Sequence, residues 1–236
     1  MSPMDGEREV KPLEVVVLEG LEIEPDPAET RRYMGYPVAA VPFSRVEERI
    51  LEAIRISRGA MRPRGTYSLY SVTSRAERSL TLGGKVKFTG AIGDYLGHAE
   101  RAAAFLATAG EEIVELAERA MRSGDALGGL VLNALGSQVA EAVVSRLVED
   151  LRRHAAPGEA LSLRYSPGYC GISLAQQQTI FRLVEASKVG VELLPTLIMK
   201  PVKSVSGLIG IGPESAVKAY GNPCDRCNYL DCRMRR

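Results

Sequence analysis

The chain has 236 residues, of which 45% are hydrophobic and 25% are charged, so it has enough apolar material for one compact unit with a substantial core. Its 30 basic and 29 acidic residues are spread along the sequence and leave a net charge of +1, which excludes the concentrated positive surface of a nucleic-acid-binding protein. We find no apolar run of about 18 residues and no signal-type leader, so the sequence predicts a cytoplasmic protein without a membrane span.

The first half of the chain predicts mainly strands. Residues 1–11 are polar and are expected to fray. Ser44 is predicted to cap a helix at 45–57, whose first turn carries Glu47 and Glu48, where the helix dipole favours acids. The glycine pair at 83–84 is predicted to close a hairpin. Strands are predicted at 15–18, 38–41, 67–72 and 79–82.

The second half predicts longer helices between single strands. A strand at 102–108 is followed by a small-residue turn and a helix that begins near Glu111. Asp125 is the predicted N-cap of a helix of about thirty residues that ends near Arg153. Further elements are a strand at 161–164, a helix at 175–187 and a strand at 204–211. Hairpins early in the chain with helices packed on them later predict an α+β fold rather than a doubly wound sheet.

Glu141 lies in the long predicted helix among neighbours that carry no charge. The positions three, four and seven residues away share its face and hold only small, apolar or neutral polar side chains. A carboxylate in such surroundings is costly unless a cation or a hydrogen-bond donor meets it. Two interpretations are open: Glu141 binds a ligand, or it is solvated or pairs with an arginine from elsewhere in the fold.

The segment Arg-Tyr-Ser-Pro-Gly-Tyr-Cys-Gly at 164–171 predicts a tight turn at the end of a strand. Pro167 fixes its own φ, and Gly168 permits backbone conformations that are closed to other residues. The turn is therefore expected to bring exposed N–H groups close to a ligand. Arg164 carries a guanidinium that suits a carboxylate or phosphate. The alternative is an ordinary strand-to-helix turn with a surface arginine.

A second motif, Met-Lys-Pro-Val-Lys-Ser-Val-Ser-Gly, stands at 199–207. In this order the two motifs resemble the reactivation domain of cobalamin-dependent methionine synthase, the module that binds S-adenosylmethionine and remethylates oxidised corrinoid. Gln177 and Phe181, in the predicted helix after the turn, match the family's usual glutamine and aromatic residue. The resemblance covers residues 31–220 and is strongest at 133–213.

The resemblance implies a mostly antiparallel, curved sheet flanked by helices, with a site for S-adenosylmethionine. Glu141 would bind the ligand's ammonium or ribose hydroxyls, and Arg164 its carboxylate. The other cofactor-binding residues that the resemblance implies are Pro167, Gly168, Tyr169, Gly171, Ser204, Ser206 and Tyr220. We assign no general acid or base, because methyl transfer from a sulfonium to cob(I)alamin moves no proton.

The predicted organisation has three parts: a partly frayed N-terminal segment at 1–30, an S-adenosylmethionine-binding activation domain at 31–220, and a cysteine-rich tail at 221–236. Nothing before the domain could hold homocysteine, folate or corrinoid. We therefore expect the cobalamin on a partner, either a cobalamin-binding methyltransferase or a corrinoid protein, which this chain would reactivate in trans as an activating subunit.

Two positions depart from the family's pattern. Gly35 stands where the synthase carries a ligand-binding aspartate, in the segment Arg-Tyr-Met-Gly-Tyr at 32–36. Val217 stands where the synthase has a ligand-contacting tyrosine, and Tyr220 is the nearest aromatic residue. One acidic contact is therefore missing, and Tyr220 either replaces the aromatic contact or the contact is lost.

The chain has four cysteines, and three of them fall in the tail, at Cys224, Cys227 and Cys232. Thiolates at this spacing can bind one metal ion or cluster, with Cys170 of the turn as the fourth ligand. An iron–sulfur cluster is favoured over zinc, because reactivation needs an electron to take cob(II)alamin to cob(I)alamin. The alternatives are a zinc site that holds the tail and a reduced tail without metal.

Two functions follow from these features. The first is reductive reactivation of a corrinoid partner with S-adenosylmethionine as methyl donor. The second is an iron–sulfur electron relay or binding protein for such a partner, without any use of S-adenosylmethionine, in which the missing aspartate and tyrosine would mark the lost ligand site.

Overall fold

The fold of the chain is given by a computed structural model that describes residues 10–37, 43–220, 222 and 224, except for the side chains of 219 and 220. The strands are β1 Glu14–Leu18, β2 Arg64–Ala76, β3 Ser79–Leu82, β4 Val86–Thr89, β5 Arg101–Thr108, β6 Glu159–Tyr165, β7 Glu192–Leu193, β8 Met199–Lys200 and β9 Ser204–Pro213. The helices are α1 Pro27–Tyr33, α2 Ser44–Ser57, α3 Ala91–Tyr95, α4 Glu112–Arg122, α5 Ala126–Leu151, α6 Gln176–Phe181 and α7 Glu214–Tyr220.

One seven-stranded sheet organises the molecule. Its strand order is β4-β3-β2-β5-β9-β6, with β1 paired to β2 beside this path, and every pairing is antiparallel. β7 and β8 form a separate two-stranded hairpin. The predicted α+β class, with a mostly antiparallel sheet flanked by helices, is confirmed.

The two faces of the sheet pack against different helices. Along β5, Ala103, Phe105 and Ala107 face α5 and pack with Val143, Val144 and Leu147. The alternate residues Ala102, Ala104 and Leu106 join the core on the other face, which α3, α6 and the hairpin of β3 and β4 cover. This alternation follows from the two-residue period of a strand.

α5 is the central helix, and its composition is unusually apolar. The sequence predicts no membrane span, but the helical stretch Ala126–His154 is long and apolar enough, by length and composition alone, to cross a membrane. In the folded chain, however, 67% of the 18-residue apolar stretch of this helix is buried. α5 packs on α1, α2, α4 and the sheet. These contacts are those of the core helix of a globular fold.

Most predicted elements are present, with several differences. The hairpin at the glycine pair 83–84, the N-cap Asp125 and the strand at 79–82 are as predicted. Ser44 is the first residue of α2 and makes no capping hydrogen bond, so its predicted role is wrong. The helix predicted at 175–187 ends at Phe181 and is followed by a 3₁₀ turn. The strand predicted at 38–41 lies outside the described residues.

The predicted N-terminal segment contributes more to the fold than fraying implies. β1 lies inside it and pairs with residues 65–69 of β2. Val10 is also buried, at 6% exposure, in the core beside the β3–β4 hairpin. At least the second part of the 1–30 segment therefore belongs to the sheet and its core.

Candidate functional site

Glu141 of α5 and Arg164 of β6 are joined through their side chains. Nη2 of Arg164 forms an ion pair with Oε2 of Glu141. The side chains keep 28% and 29% of their surface exposed, so a ligand can still reach both. The two residues that the sequence predicts as ligand contacts are therefore neighbours. Of the interpretations that the sequence leaves open for Glu141, its pairing with an arginine is observed. That arginine is Arg164, which is itself a predicted site residue.

Tyr33, at the end of α1, adds a buried hydroxyl to this pair. α1 packs against α5, and the charges of Glu141 and Arg164 both act on the phenol. Burial, together with the Glu141 charge, raises the pKa of Tyr33, while Arg32, whose guanidinium lies 4.6 Å from the ring centre, opposes the shift. Within the described part of the chain, neither this hydroxyl nor the side-chain oxygen of Gln138 makes a well-formed hydrogen bond.

Lys203 approaches α5 one turn away from Glu141. Its Nζ donates a hydrogen bond to the Ser137 hydroxyl at 2.9 Å, and the Ser137 hydroxyl in turn donates to the carbonyl of Asn133. Burial lowers the pKa of Lys203. Polar groups from α1, α5, β6 and the start of β9 therefore collect along one side of α5.

The turn after β6 has the backbone that its sequence predicts. Gly168 and Gly171 have φ values of 87° and 74°, which are open to glycine and rare for other residues. Cys170 also has a positive φ, of 52°. The N–H of Gly168 donates to Ile172, and Pro167 is buried while Tyr169 is 62% exposed. The turn thus presents an exposed aromatic side chain on a fixed backbone.

Two tyrosines hold this turn against the rest of the domain. The rings of Tyr95 and Tyr165 stack at 4.8 Å between centroids, with an interplanar angle of 5°. The Tyr95 hydroxyl donates to the carbonyl of Cys170 at 2.7 Å. α3, which carries Tyr95, therefore helps to fix the turn.

Ser204 and Ser206 do not face Glu141 and Arg164. A side chain on Gly207 would meet the ring of Phe105, which lies on the α5 face, so its neighbour Ser206 points to the opposite face. The Ser206 hydroxyl is buried and has no hydrogen-bond partner among the residues described. Ser204 donates to the carbonyl of Pro201 at 2.7 Å and lies 2.9 Å from the Thr108 hydroxyl. Their predicted ligand contacts stay predictions.

The predicted metal ligands lie only partly within the described residues. Cys170 and Cys224 are half-buried, whereas Cys227 and Cys232 are outside the described part, and so is the side chain of Tyr220. No group of three metal-ligating side chains forms among the residues that the structure describes. α7, the last described helix, packs on β6 and β9.

A separate cavity of about 340 Å³ lies between α2, α4 and α5. The ion pair of Arg49 and Asp125 lies at its wall, and none of the predicted site residues lines it. It is therefore distinct from the place where Glu141 meets Arg164.

Comparison with known proteins identifies the family. The family model described as vitamin B12 dependent methionine synthase, activation domain, matches residues 85–222, which is more than half of the chain. The chain belongs to this family. The crystal structure of the MetH reactivation domain bound to AdoHcy shares the activation-domain fold, with a TM-score of 0.64 and 20% identity, over 87% of this chain and 80% of that chain. No curated protein matches the chain significantly.

The family assignment confirms the resemblance drawn from the two motifs. Within this activation domain, the sequence reasoning missed three residues that the structure places at the site or its turn: Tyr33, Tyr95 and Lys203. Lys203 stands inside the quoted second motif, and Tyr33 stands inside the segment that contains Gly35. Gly35 has a φ of 93°, a conformation that favours glycine over the aspartate of the family's pattern.

Proposed function

We propose that this activation domain binds S-adenosylmethionine and serves the reductive reactivation of a cobalamin-dependent methyltransferase on a separate polypeptide. The observation that carries the proposal is the ion pair between Glu141 of α5 and Arg164 of β6, the strand that leads into the glycine-rich turn. The family match, and the fold shared with a reactivation domain crystallised with AdoHcy, support the same class of ligand.

In this proposal the domain orients the methyl donor, and the reaction takes place at the corrinoid of the partner. Glu141 and Arg164 hold the amino-acid end of the ligand, while the backbone of the turn and Tyr169 direct the sulfonium methyl outward. One electron reduces cob(II)alamin to cob(I)alamin. An electron pair on cobalt then takes the methyl group, and the sulfonium leaves as the neutral thioether of S-adenosylhomocysteine.

Ligand binding to the purified chain is the first test. We expect calorimetry to show binding of S-adenosylmethionine, and Glu141→Ala and Arg164→Ala each to weaken it. A charge-assisted hydrogen bond is worth about 1.5–3 kcal/mol, which corresponds to a loss of about tenfold to a hundredfold in affinity. Arg146→Ala is the matched control, because Arg146 lies on α5 but is exposed and pairs with Glu149.

The possible outcomes test the identity of the ligand and the roles of the two residues separately. No binding, even with a cobalamin-domain partner present, would refute the proposal. Normal affinity in both variants would refute the roles of Glu141 and Arg164 and would leave the ligand class in place.

We also propose that Cys170, Cys224, Cys227 and Cys232 bind an iron–sulfur cluster that delivers the electron. The support is the spacing of the tail cysteines, together with the packing of α7 against β6. Cysteine thiolates suit both iron–sulfur clusters and zinc, and only the cluster can carry an electron. A zinc site that holds the tail is the competing assignment.

The second candidate function is an electron relay for a corrinoid partner without S-adenosylmethionine. Gly35 and Val217, in place of the family's aspartate and tyrosine, favour it. The calorimetric experiment separates the two functions, because an electron relay has no need of the methyl donor.

A further inference from the structure

Tyr95 of α3 contacts the glycine-rich turn and the strand that leads into it. Its ring stacks on that of Tyr165, the last residue of β6, with 4.8 Å between the centroids and 5° between the planes. Its hydroxyl donates a hydrogen bond of 2.7 Å to the carbonyl of Cys170, within the turn. A Cβ atom on Gly171 would lie 3.8 Å from Cβ of Ala91, the first residue of α3. α3 therefore touches the entry of the turn as well as its interior.

The backbone at Cys170 needs such a contact. Its φ of 52° is a left-handed conformation that is uncommon and unfavourable for a residue with a side chain. A conformation of this kind persists where the surrounding structure holds it. The backbone hydrogen bonds within the turn run from Gly168 to Ile172 and from Ile172 to Tyr169. The Cys170 carbonyl, by contrast, is bound from outside the turn, by Tyr95.

α3 is firmly packed, so Tyr95 has a fixed base. Ile92 and Leu96, which precede and follow Tyr95 in the chain, are 1% and 0% exposed. A Cβ atom on Gly93 would lie 2.2 Å from the backbone nitrogen of Ser79, so the backbone of α3 lies directly against β3. The position of the Tyr95 side chain is therefore set by the core and not by the turn.

We propose that Tyr95 is a positioning residue, which holds the turn in its ligand-binding conformation before the ligand arrives. The inference rests on the proposed function, in which the backbone of the turn and Tyr169 direct the methyl donor outward. A turn that is ordered in advance loses less conformational entropy when the ligand binds, so the affinity is higher than it would be without the support. Tyr95 acts through the turn and not through a contact of its own with the ligand.

Two tyrosine-to-phenylalanine variants test this role. Tyr95→Phe keeps the stacked ring and removes the hydrogen bond to Cys170. Tyr70→Phe is the matched control, because the Tyr70 hydroxyl also donates to a backbone carbonyl at 2.7 Å, that of Leu183, in the same core. We expect calorimetry to show that Tyr95→Phe lowers the affinity for S-adenosylhomocysteine about twofold to tenfold, and that Tyr70→Phe leaves it unchanged.

Urea unfolding of the same variants separates positioning from stability. Tyr70 is 0% exposed, whereas Tyr95 is half-buried, so Tyr70→Phe should lose at least as much stability as Tyr95→Phe. Hydrogen exchange gives a readout that needs no ligand. Residues 166–172 should exchange faster in Tyr95→Phe than in the wild type, and at the wild-type rate in Tyr70→Phe. Saturation with S-adenosylhomocysteine should slow the exchange in Tyr95→Phe, because the bound ligand then orders the turn.

Wild-type affinity in Tyr95→Phe, or an equal loss of affinity in both variants, would overturn the role of Tyr95 and leave the proposed function in place. Unchanged exchange of residues 166–172 in Tyr95→Phe would overturn it as well, because the hydrogen bond would then have no effect on the turn. If the wild type did not bind S-adenosylhomocysteine, the proposed function itself would fail, and this inference with it.

Discussion

At the scale of single residues, Tyr33 shows how a weakly bonded polar group can mark a binding site. Its hydroxyl is buried beside Glu141 and makes no well-formed hydrogen bond within the described part of the chain, although the neighbouring Arg32 acts on it. Burying a hydroxyl without a good partner costs free energy, and a ligand that supplies a partner gains a hydrogen bond. Stability and binding should therefore respond differently when the hydroxyl is removed.

We predict that Tyr33→Phe lowers the free energy of unfolding by less than about 0.5 kcal/mol, because the hydroxyl interacts only weakly with the neighbouring Arg32 and removing it also removes the cost of burying it. The same variant should weaken binding of S-adenosylhomocysteine about twofold to tenfold, the worth of one neutral hydrogen bond. Urea unfolding and calorimetry measure the two quantities. A clear loss of stability would show that the hydroxyl already has a partner.

The lowered pKa of Lys203 predicts a pH dependence of stability. Between the lowered folded-state pKa and the ordinary value of 10.5, the unfolded chain holds a proton that the folded chain releases. The free energy of unfolding therefore rises as pH rises through this window, and below it the buried charge lowers stability. Lys203→Met should remove this component, and urea unfolding of both proteins at several pH values below 10.5 measures it.

The direction in which the stability of the wild type relative to Lys203→Met changes with pH tests this prediction. If the stability of the wild type relative to Lys203→Met fell with rising pH in this window, the ammonium would already have a stabilising anionic partner in the free protein.

The sequence predicted Glu141 and Arg164 as site residues, but not Lys203 or Tyr33. Glu141 stands out because its helical neighbours are uncharged, and Arg164 because it precedes a proline–glycine turn. Lys203 is distinguished only by its packing on Gly136 and its bond to Ser137, 66 positions away in the chain. Contacts over such separations leave no local pattern in one sequence, so only the fold could reveal them.

At the scale of the elements, length decided what could be predicted. α5 has 26 residues and a clear N-cap, and it was predicted with nearly its observed bounds. The helices α1, α3 and α7 have seven, five and seven residues, and they were missed. A helix of one or two turns contains too few residues for an apolar period to stand out.

α5 also provides a test of where the stability of the domain lies. Leu147 is 1% exposed and packs between α5 and β2, whereas Leu130 of the same helix is 42% exposed. We expect Leu147→Ala to lower the free energy of unfolding by about 2–5 kcal/mol through lost burial and a cavity. Leu130→Ala should stay within about 0.5 kcal/mol, as exposed substitutions usually do.

Chemical denaturation of the two variants gives both values under the same conditions. Equal effects would mean that α5 does not pack on the sheet as described. A large effect of Leu130→Ala alone would instead assign the exposed face of α5 to an interface that contributes to stability.

At the scale of the whole molecule, the proposed metal site would join the cysteines of the tail to that of the turn. We predict that anaerobically prepared protein is brown and contains iron and sulfide in near-equal amounts, and that Cys224→Ala or Cys227→Ala abolishes the colour. Cys170→Ala should do the same if one site uses all four cysteines. Colourless protein with one zinc per chain would contradict the redox role, and a cluster retained in Cys170→Ala would confine the ligands to the tail.

Reactivation of a partner is the functional readout of the whole domain. With an inactive cob(II)alamin methyltransferase, S-adenosylmethionine and a low-potential reductant, the protein should accelerate the appearance of the methylcobalamin spectrum. Without S-adenosylmethionine the reaction should stop at the reduced state. Specific protein–protein interfaces commonly bury about 1,200–2,000 Å², a transient one lies near the low end of that range, and the exposed Tyr169 is the expected centre of this one.

Tyr169→Ala therefore should slow reactivation more than it weakens binding of S-adenosylmethionine. Equal rates with and without the wild-type protein, for every corrinoid partner tested, would contradict the trans arrangement.

The order of the strands in the sheet could not be predicted from the sequence. β5, β6 and β9 were each predicted close to their observed bounds, but no local pattern indicated that β9 would lie between the other two. That placement is decided by side chains distant in sequence, such as Phe105, Ile209 and Leu147, which pack together only in the folded molecule.

The position of β9 also sets the order in which a nascent chain can complete the domain. β9 follows β5 and β6 in the chain, yet it is the strand that joins them, and among the described strands β6 pairs with β9 alone. Until Ser204–Pro213 has left the ribosome, one edge of β5 stays open and β6 has no docking place. Open edges promote misassociation, so the partly synthesised chain should depend on chaperones until β9 closes the sheet.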